Sequence, residues 1–230
     1  IKKSKQGQFQ IVDVVQLFAP ICKMTKQIVN ANTIPSLVRE AFRIAEEEKP
    51  GPVLLELPED IAEEAAEVVD LILPGERHYA VAGKKVINAA ANAIKSAKRP
   101  LVLIGAGANR KEARRAISEF IGMIGLPFCN TQMGKGVVDE SSSYFLGTAA
   151  LSDKDYLHDY IKLADLIVNI GHDVVEKPPF FMEHGGAEVI HINYKSAQVD
   201  QVYFPQIEVV GDIALSVDAL ADALGSRLNI

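Results

Sequence analysis

Two glycines separated by one residue, Gly105 and Gly107, carry the clearest chemical signal in the sequence. They follow a short apolar run at residues 100–104 and precede a helix-like stretch, so a strand passes into a helix through them. At this place in a parallel sheet, a glycine-rich turn lets backbone N–H groups and the helix dipole approach a phosphate. Gly105, Ala106 and Gly107 therefore predict a nucleotide-binding type of architecture.

The turn lacks two parts of the dinucleotide-binding fingerprint. Arg110 stands where a third small residue would allow close helix packing, and the second strand ends at Thr131 without an acidic residue for the ribose. A standard NAD site is therefore not expected. Two interpretations stay open: a tight turn without a ligand, or a different mode of nucleotide binding.

The remaining reactive residue types are scattered, so we predict neither a metal site nor a nucleophile motif. The net charge of -6 argues against a nucleic-acid partner, and no apolar run approaches the length of a membrane span. Cys22 and Cys129 are lone thiols, which fits the reducing cytoplasm. We expect a cytoplasmic protein that binds no nucleic acid and no membrane.

Apolar runs that end in turn residues predict buried parallel strands. The predicted strands are residues 101–105, 127–131, 165–170, 188–193 and 207–210. The predicted helices between and after them are residues 83–97, 110–124, 154–164 and 212–224. This alternation predicts an α/β fold with a doubly wound, mostly parallel, Rossmann-like sheet, in which ligands bind at the carboxyl ends of the strands.

The first third of the chain reads as a remnant of a second α/β domain. A helix is expected from Thr33, its N-cap, to Glu48, followed by a buried strand at 52–57. One helix–strand unit cannot cover both of its faces, so it must pack on the second domain or on a part of the protein outside this sequence. We therefore divide the sequence into residues 1–65, a linker at 66–82, and a larger domain at 83–230.

Residues 50–60, Pro-Gly-Pro-Val-Leu-Leu-Glu-Leu-Pro-Glu-Asp, together with Phe9 and Gln10, resemble the end of the pyrimidine-binding domain of thiamine-diphosphate enzymes. Residues 99–213 resemble the central domain of the same family. Within it, the nearest likeness is to the catalytic subunits of acetolactate synthases. The resemblance covers essentially the whole chain.

The resemblance implies decarboxylation of pyruvate on thiamine diphosphate and addition of the two-carbon unit to a second 2-oxo acid. The family's catalytic glutamate would lie before Ile1, and its Mg²⁺-binding motif after Ile230. We therefore expect no catalytic residue and no carboligase activity in these 230 residues alone. Phe9 and Gln10 match a family pair near the substrate pocket. The family's members form homo-oligomers, some with a regulatory subunit, and we expect a homo-oligomer here.

Two positions depart from the biosynthetic members of the family. Glu59 replaces a common lysine, and residues 171–178 contain no arginine where those members use one to hold FAD. The pattern resembles the catabolic, FAD-independent acetolactate synthases, and it argues against FAD. If FAD binds, we expect it at the residues that end the strands facing the crevice: Gly105, Ala106, Gly107, Gly171 and Asn193.

Three other functions fit the sequence. The chain could belong to another thiamine-diphosphate carboligase or decarboxylase. It could be a nucleotide-binding module without catalysis, or a structural domain that binds no ligand. A ligand that binds only the native state would raise its stability, which separates the last two.

Overall fold

The computed structural model describes residues 12–67, 73, 75, 79–149, 156–172, 182–199 and 201–228. The chain divides into two compact units, Ile1–Arg77 and His78–Ile230. No helix in the described part of the chain is both long and apolar enough to cross a membrane.

The first unit contains two parallel strands and three helices among its described residues. In chain order they are α1 (Val14–Phe18), β1 (Met24–Gln27), α2 (Ile34–Glu46), β2 (Val53–Glu56) and α3 (Glu59–Ala62). Strands β1 and β2 pair in parallel over four residues each. Ile28, Ala31 and Ile61 form the buried centre of this small unit.

Helix α2 has the N-cap residue that the sequence predicts, but that residue does not form the expected capping hydrogen bond. Thr33 occupies the N-cap position, but its side chain accepts no hydrogen bond from the helix. Its hydroxyl instead donates to the Asn30 carbonyl at 2.7 Å. At the other end, the Lys23 ammonium donates to the carbonyl of Glu47 at 2.7 Å, which neutralises one of the orphan carbonyls of the last turn.

The first unit leaves large apolar side chains in water. Phe42 on α2 is 65% exposed, and Ile21 before β1 is 65% exposed. A two-stranded sheet can bury only a small part of the surface of its helices, so the described residues of this unit form only a small hydrophobic core. That the unit is part of a larger α/β domain stays a prediction.

The second unit is built on one parallel sheet whose six strands appear in the order β5-β4-β3-β6-β7-β8. The strands are β3 (Pro100–Ile104), β4 (Phe128–Thr131), β5 (Phe145–Ala149), β6 (Leu166–Ile170), β7 (Glu188–Asn193) and β8 (Ile207–Val210). The helices are α4 (Lys84–Ser96), α5 (Lys111–Ile124), α6 (Tyr156–Ile161) and α7 (Ile213–Leu224). The predicted doubly wound α/β fold is therefore confirmed.

Both faces of the central strands are covered. Every residue of β3 and β6 is buried. Val102 and Ile104 belong to the core shared with α4, α5 and α7, whereas Leu101 and Leu103 pack in the core shared with α6. Continuous apolar runs are required here because neither face of a central parallel strand meets water.

The sequence misses two strands, β1 in the first unit and β5 in the second. Strand β5 lies at the edge of the sheet and all five of its residues are only half-buried. It contains Gly147, and its register with β4 shifts between Phe128 and Cys129. An edge strand that carries glycine and threonine has no continuous apolar run, so the pattern that found the central strands could not find it.

Part of the predicted linker is packed rather than free. The Asp212 N–H donates to the Ala80 carbonyl at 2.8 Å, and Ala82 belongs to the main core. Gly211 lies so close to this segment that a Cβ there would be 2.8 Å from the Ala80 oxygen. Asp212 also caps α7 as expected, accepting from the Leu215 N–H at 2.9 Å.

Asp165 holds the turn that leads from α4 into β3 against the start of β6. Its two carboxylate oxygens accept from the backbone N–H groups of Lys98 and Arg99, each at 2.8 Å. Burial raises the pKa of Asp165, but the backbone hydrogen bonds and the attraction of the Lys98 charge together outweigh it and place the pKa below the ordinary 3.8. The ionised carboxylate is therefore the form that stabilises the turn.

The substitution Asp165→Asn should lower the free energy of unfolding by about 1 kcal/mol at pH 7, because one backbone N–H loses its acceptor. A depressed carboxyl pKa stabilises the fold above the unfolded value, and this contribution disappears as the pH falls through the folded value. The difference between the two proteins should therefore shrink below pH 3.8. Urea unfolding between pH 3 and 7 measures it, and a difference that stays constant would contradict the assignment.

Candidate functional site

The strand order places a crevice between β3 and β6. Counted from β3, the first strand of this sheet, the chain winds outward through β4 and β5 and then returns to the other side through β6, β7 and β8. The order therefore reverses between β3 and β6. In doubly wound folds, ligands bind outside the carboxyl ends of the strands at this point.

The structure brings all five predicted crevice residues to neighbouring strand ends. Gly105, Ala106 and Gly107 directly follow β3, Gly171 follows β6, and Asn193 is the last residue of β7. The Asn193 side-chain amide donates to the His172 carbonyl at 2.8 Å, which ties the end of β7 to the segment after β6. Phe9 and Gln10, the predicted substrate-pocket pair, lie outside the described residues.

The backbone donors of the glycine turn are already bonded within the protein. The Gly105 N–H donates to the Ile170 carbonyl and the Gly107 N–H to the Gly171 carbonyl, both at 2.8 Å. The Ala108 N–H returns to the Gly105 carbonyl at 3.1 Å. The first two hydrogen bonds join the ends of β3 and β6, and the third closes the turn, so none of these three N–H groups is available to a phosphate.

The same contacts explain why glycine is needed here. A Cβ on Gly107 would lie 3.0 Å from the Gly171 Cα and 3.1 Å from its carbonyl oxygen. A Cβ on Gly171 would be 2.7 Å from the Gly107 carbonyl carbon and would collide with the Ala108 nitrogen. Gly171 also has a φ of +73°, in the left-handed region. Close packing of two backbones therefore accounts for both glycines.

Arg110, which directly precedes α5, packs beside two tyrosines. Its guanidinium lies 4.6 Å from the centre of the Tyr194 ring, directly after β7. Tyr79 packs against the same Tyr194 ring, with 6.2 Å between the two ring centroids. Burial raises the pKa of the Tyr194 phenol even though the neighbouring guanidinium opposes the shift. The Arg110 guanidinium thus stacks on the Tyr194 ring, and Arg110 occupies the position at which the dinucleotide-binding fingerprint has a small residue.

A buried polar cluster lies under the crevice, and the sequence did not reveal it. Asn169 of β6 and His191 of β7 are side by side in the sheet register, and Tyr203 reaches both. The Tyr203 oxygen is 2.7 Å from His191 Nδ1 and accepts from the Asn169 amide at 3.3 Å. The His172 ring stacks on Tyr203 with centroids 4.2 Å apart.

The partners of His191 define its tautomer. Its Nε2 lies 2.9 Å from the Lys195 carbonyl, which can only accept, so Nε2 carries the proton. Nδ1 then accepts from the Tyr203 hydroxyl. Burial lowers the pKa of His191, and the hydrogen bond to Lys195 and the Glu208 charge offset this only in part. The imidazole is therefore neutral and acts as a fixed link between β7 and the Tyr203 segment.

The glycine-rich loop after β4 closes on β3. A Cβ on Gly134 would collide with the Ile104 carbonyl. Behind the loop, the Asn130 amide donates to Glu140 at 3.0 Å, and Glu140 pairs with Lys135 at 2.9 Å. Hydrogen bonding and attraction from Lys135 lower the pKa of Glu140. The loop is thus held by an internal polar network of its own.

A family model described as "Thiamine pyrophosphate enzyme, central domain" matches residues 87–220. This chain belongs to the thiamine pyrophosphate enzymes. The match begins in α4 and ends in α7, so it covers the sheet and the helices of the second unit. The family's cofactor is the thiamine diphosphate expected from the sequence.

Curated proteins similar to this chain include acetolactate synthases. The catabolic acetolactate synthase of Raoultella terrigena is 31% identical over 222 residues, which is 95% of this chain and 39% of that protein. The acetolactate synthase large subunit of Porphyra purpurea is 29% identical over 96% of the chain and 39% of its own length. The acetolactate synthase of Bacillus subtilis (strain 168) is 30% identical over 91% and 37%. The chain spans about two fifths of these relatives.

The biosynthetic members of the family hold FAD, and the second unit of this thiamine pyrophosphate enzyme contains the turn at which its diphosphate would lie. A dinucleotide needs backbone donors for its diphosphate and open space at the crevice mouth. The N–H groups of Gly105, Gly107 and Ala108 are bonded internally, and Arg110 lies across Tyr194. The described residues therefore do not fit a diphosphate at this turn. That the five crevice residues bind a nucleotide stays a prediction.

Replacement of Gly171 by alanine should lower the free energy of unfolding of this thiamine pyrophosphate enzyme by about 3 kcal/mol. The new Cβ would meet fixed backbone atoms at a positive φ. Gly136→Ala is the matched control, because Gly136 has a φ of +75° but no atom within 4 Å of a new Cβ. It should cost only about 1 kcal/mol, the backbone strain alone. Equal losses in urea unfolding would exclude close packing as the reason for Gly171.

The imidazole of His191 should titrate below the ordinary value of 6.5 in an NMR titration, with the Nε2–H tautomer above that midpoint. A histidine with a lowered folded pKa binds fewer protons than the unfolded chain does. Stability should therefore fall as the pH drops from 6.5 towards the folded pKa and level off below it. The resonance is assigned by its loss in His191→Gln. A midpoint above 6.5 would show that the buried hydrogen-bond pattern is wrong.

Proposed function

We propose that this chain is part of an acetolactate-forming enzyme. In this proposal the whole protein decarboxylates pyruvate on thiamine diphosphate and joins the two-carbon unit to a second 2-oxo acid. One observation carries the proposal: relatives described as acetolactate synthases align over both units, up to 96% of the chain. A match to the central domain alone would leave the reaction open, because that domain is common to the family.

Thiamine diphosphate, when bound, supplies the electron sink that stabilises the carbanion left after decarboxylation. The contribution of the described residues is structural. The parallel sheet of the second unit is buried on both faces and fixes the ends of β3, β6 and β7 by direct backbone and side-chain hydrogen bonds. Such a scaffold holds neighbouring elements in one geometry, which is what a cofactor that performs the chemistry requires.

We further propose that the enzyme works without FAD. Three features support this: internally bonded N–H groups at the glycine turn, the Arg110–Tyr194 stack, and the 31% identity to a catabolic acetolactate synthase. Mg²⁺ on the cofactor diphosphate, a homo-oligomeric state and a cytoplasmic location belong to the same proposal. They follow from the family resemblance.

The test is an assay of the complete protein that contains this chain, with pyruvate, thiamine diphosphate and Mg²⁺. Acetolactate should form at the same rate with and without added FAD, and it should disappear when thiamine diphosphate is removed by dialysis against a chelator. Acetolactate is measured as acetoin after acid decarboxylation. Free acetaldehyde without acetolactate would reassign the protein to the decarboxylases, and a requirement for FAD would overturn the second part.

A further inference from the structure

A cavity lies at the amino edge of the sheet, opposite the crevice formed by the carboxyl ends. It has a volume of about 200 Å³. Its floor comes from the starts of three neighbouring strands: Pro100 and Leu101 of β3, Pro127 before β4, and Ala164 before β6. All of these belong to the second unit, and none of them contributes a charged side chain. The floor is therefore apolar and is built on the ends of sheet strands.

One wall of the cavity exposes apolar surface to water. Tyr160 and Leu163, from the end of α6 and the turn after it, are 47% and 56% exposed and line the cavity. The turn is fixed by the Leu163 N–H, which donates to the Tyr160 carbonyl at 3.0 Å. Covering this exposed apolar wall with a nonpolar group removes apolar surface from water, which is favourable.

The rim of the cavity carries two cations, Lys98 and Arg99. Asp165 is the nearby anion, but both of its oxygens accept from the backbone of this turn. The Lys98 ammonium is attracted to that carboxylate at longer range. The Arg99 guanidinium forms no ion pair with any described residue. A guanidinium without a carboxylate beside an apolar floor is suited to an anion with a nonpolar tail.

We propose that this cavity binds a small amphipathic carboxylate. Its nonpolar end would cover the floor at Leu101 and Pro127, and its carboxylate would face Arg99. The volume is below the roughly 300–1,000 Å³ of sites for drug-sized ligands, so the ligand is a short monocarboxylic acid and not a nucleotide. The site lies wholly within the second unit, and it does not rest on the proposed reaction.

Hexanoate is the probe, and hexanamide, which has the same tail without the charge, is its matched control. In ligand-observed NMR and calorimetry on the 230-residue chain, hexanoate should bind saturably and about fivefold more tightly than hexanamide. Arg99→Gln should remove that preference while hexanamide binding stays the same. Arg114→Gln, at an exposed arginine that does not line the cavity, should change neither.

A second pair of variants tests the apolar wall. Leu163→Asp places a negative charge at the cavity edge and should abolish hexanoate binding. Tyr156→Asp, at a position 78% exposed on α6 and not lining the cavity, should leave it intact. Both sites are solvent-exposed, so circular dichroism and melting temperature should show folded proteins.

Four results would overturn the proposal. They are no saturable binding of hexanoate, equal binding of hexanoate and hexanamide, no effect of Arg99→Gln, and equal effects of the two aspartate variants. Displacement of hexanoate by an acidic peptide but not by other short acids would show a protein-docking site and would also overturn it. Saturable binding that responds only to Arg99 and Leu163 supports it.

Discussion

The close approach of two backbones at Gly107 and Gly171 is the constraint on which the second unit depends. The ends of β3 and β6 are joined there by main-chain hydrogen bonds that run from Gly105 and Gly107 to Ile170 and Gly171, and the contact leaves no room for a Cβ. Because β3 and β6 are the two central strands, this junction sets where α5 begins and where the chain leaves β6. The turn before α5 and the segment after β6 are positioned from it.

The same junction shows that a Gly-x-Gly turn can have a purely structural function. A Gly-x-Gly turn after a first strand can present donors to a phosphate or can use them to tie two strands together. In this protein the donors are used for the second purpose, and Arg110 lies where a small residue would keep the approach open. At this turn, the strand-to-helix geometry typical of nucleotide-binding folds joins two strands.

The sequence predicted the central strands, the main helices and the position of five residues at neighbouring strand ends, because apolar runs that end in glycine or asparagine are local signals. Whether those five residues bind a ligand stays a prediction. The sequence missed β1, and it missed β5, which lies at the edge and carries Gly147. It also missed the contact of Asn169 with Tyr203, whose partners are distant in sequence and meet only through strand register and an irregular segment. Polar residues inside apolar strands were the available clue. The amino-edge cavity is equally non-local, since three strand starts form its floor.

The position of β3 has a consequence for how the protein folds. Val102 pairs with Phe128 on one side and with Val168 on the other, so the first strand of the sheet is completed only by a segment made much later. During synthesis on the ribosome, β3 can bind β4 early, but its second edge stays unpaired until β6 has emerged. An apolar strand with an open edge readily pairs with another chain. Slow translation between β4 and β6 should therefore favour aggregation more than slow translation after β6.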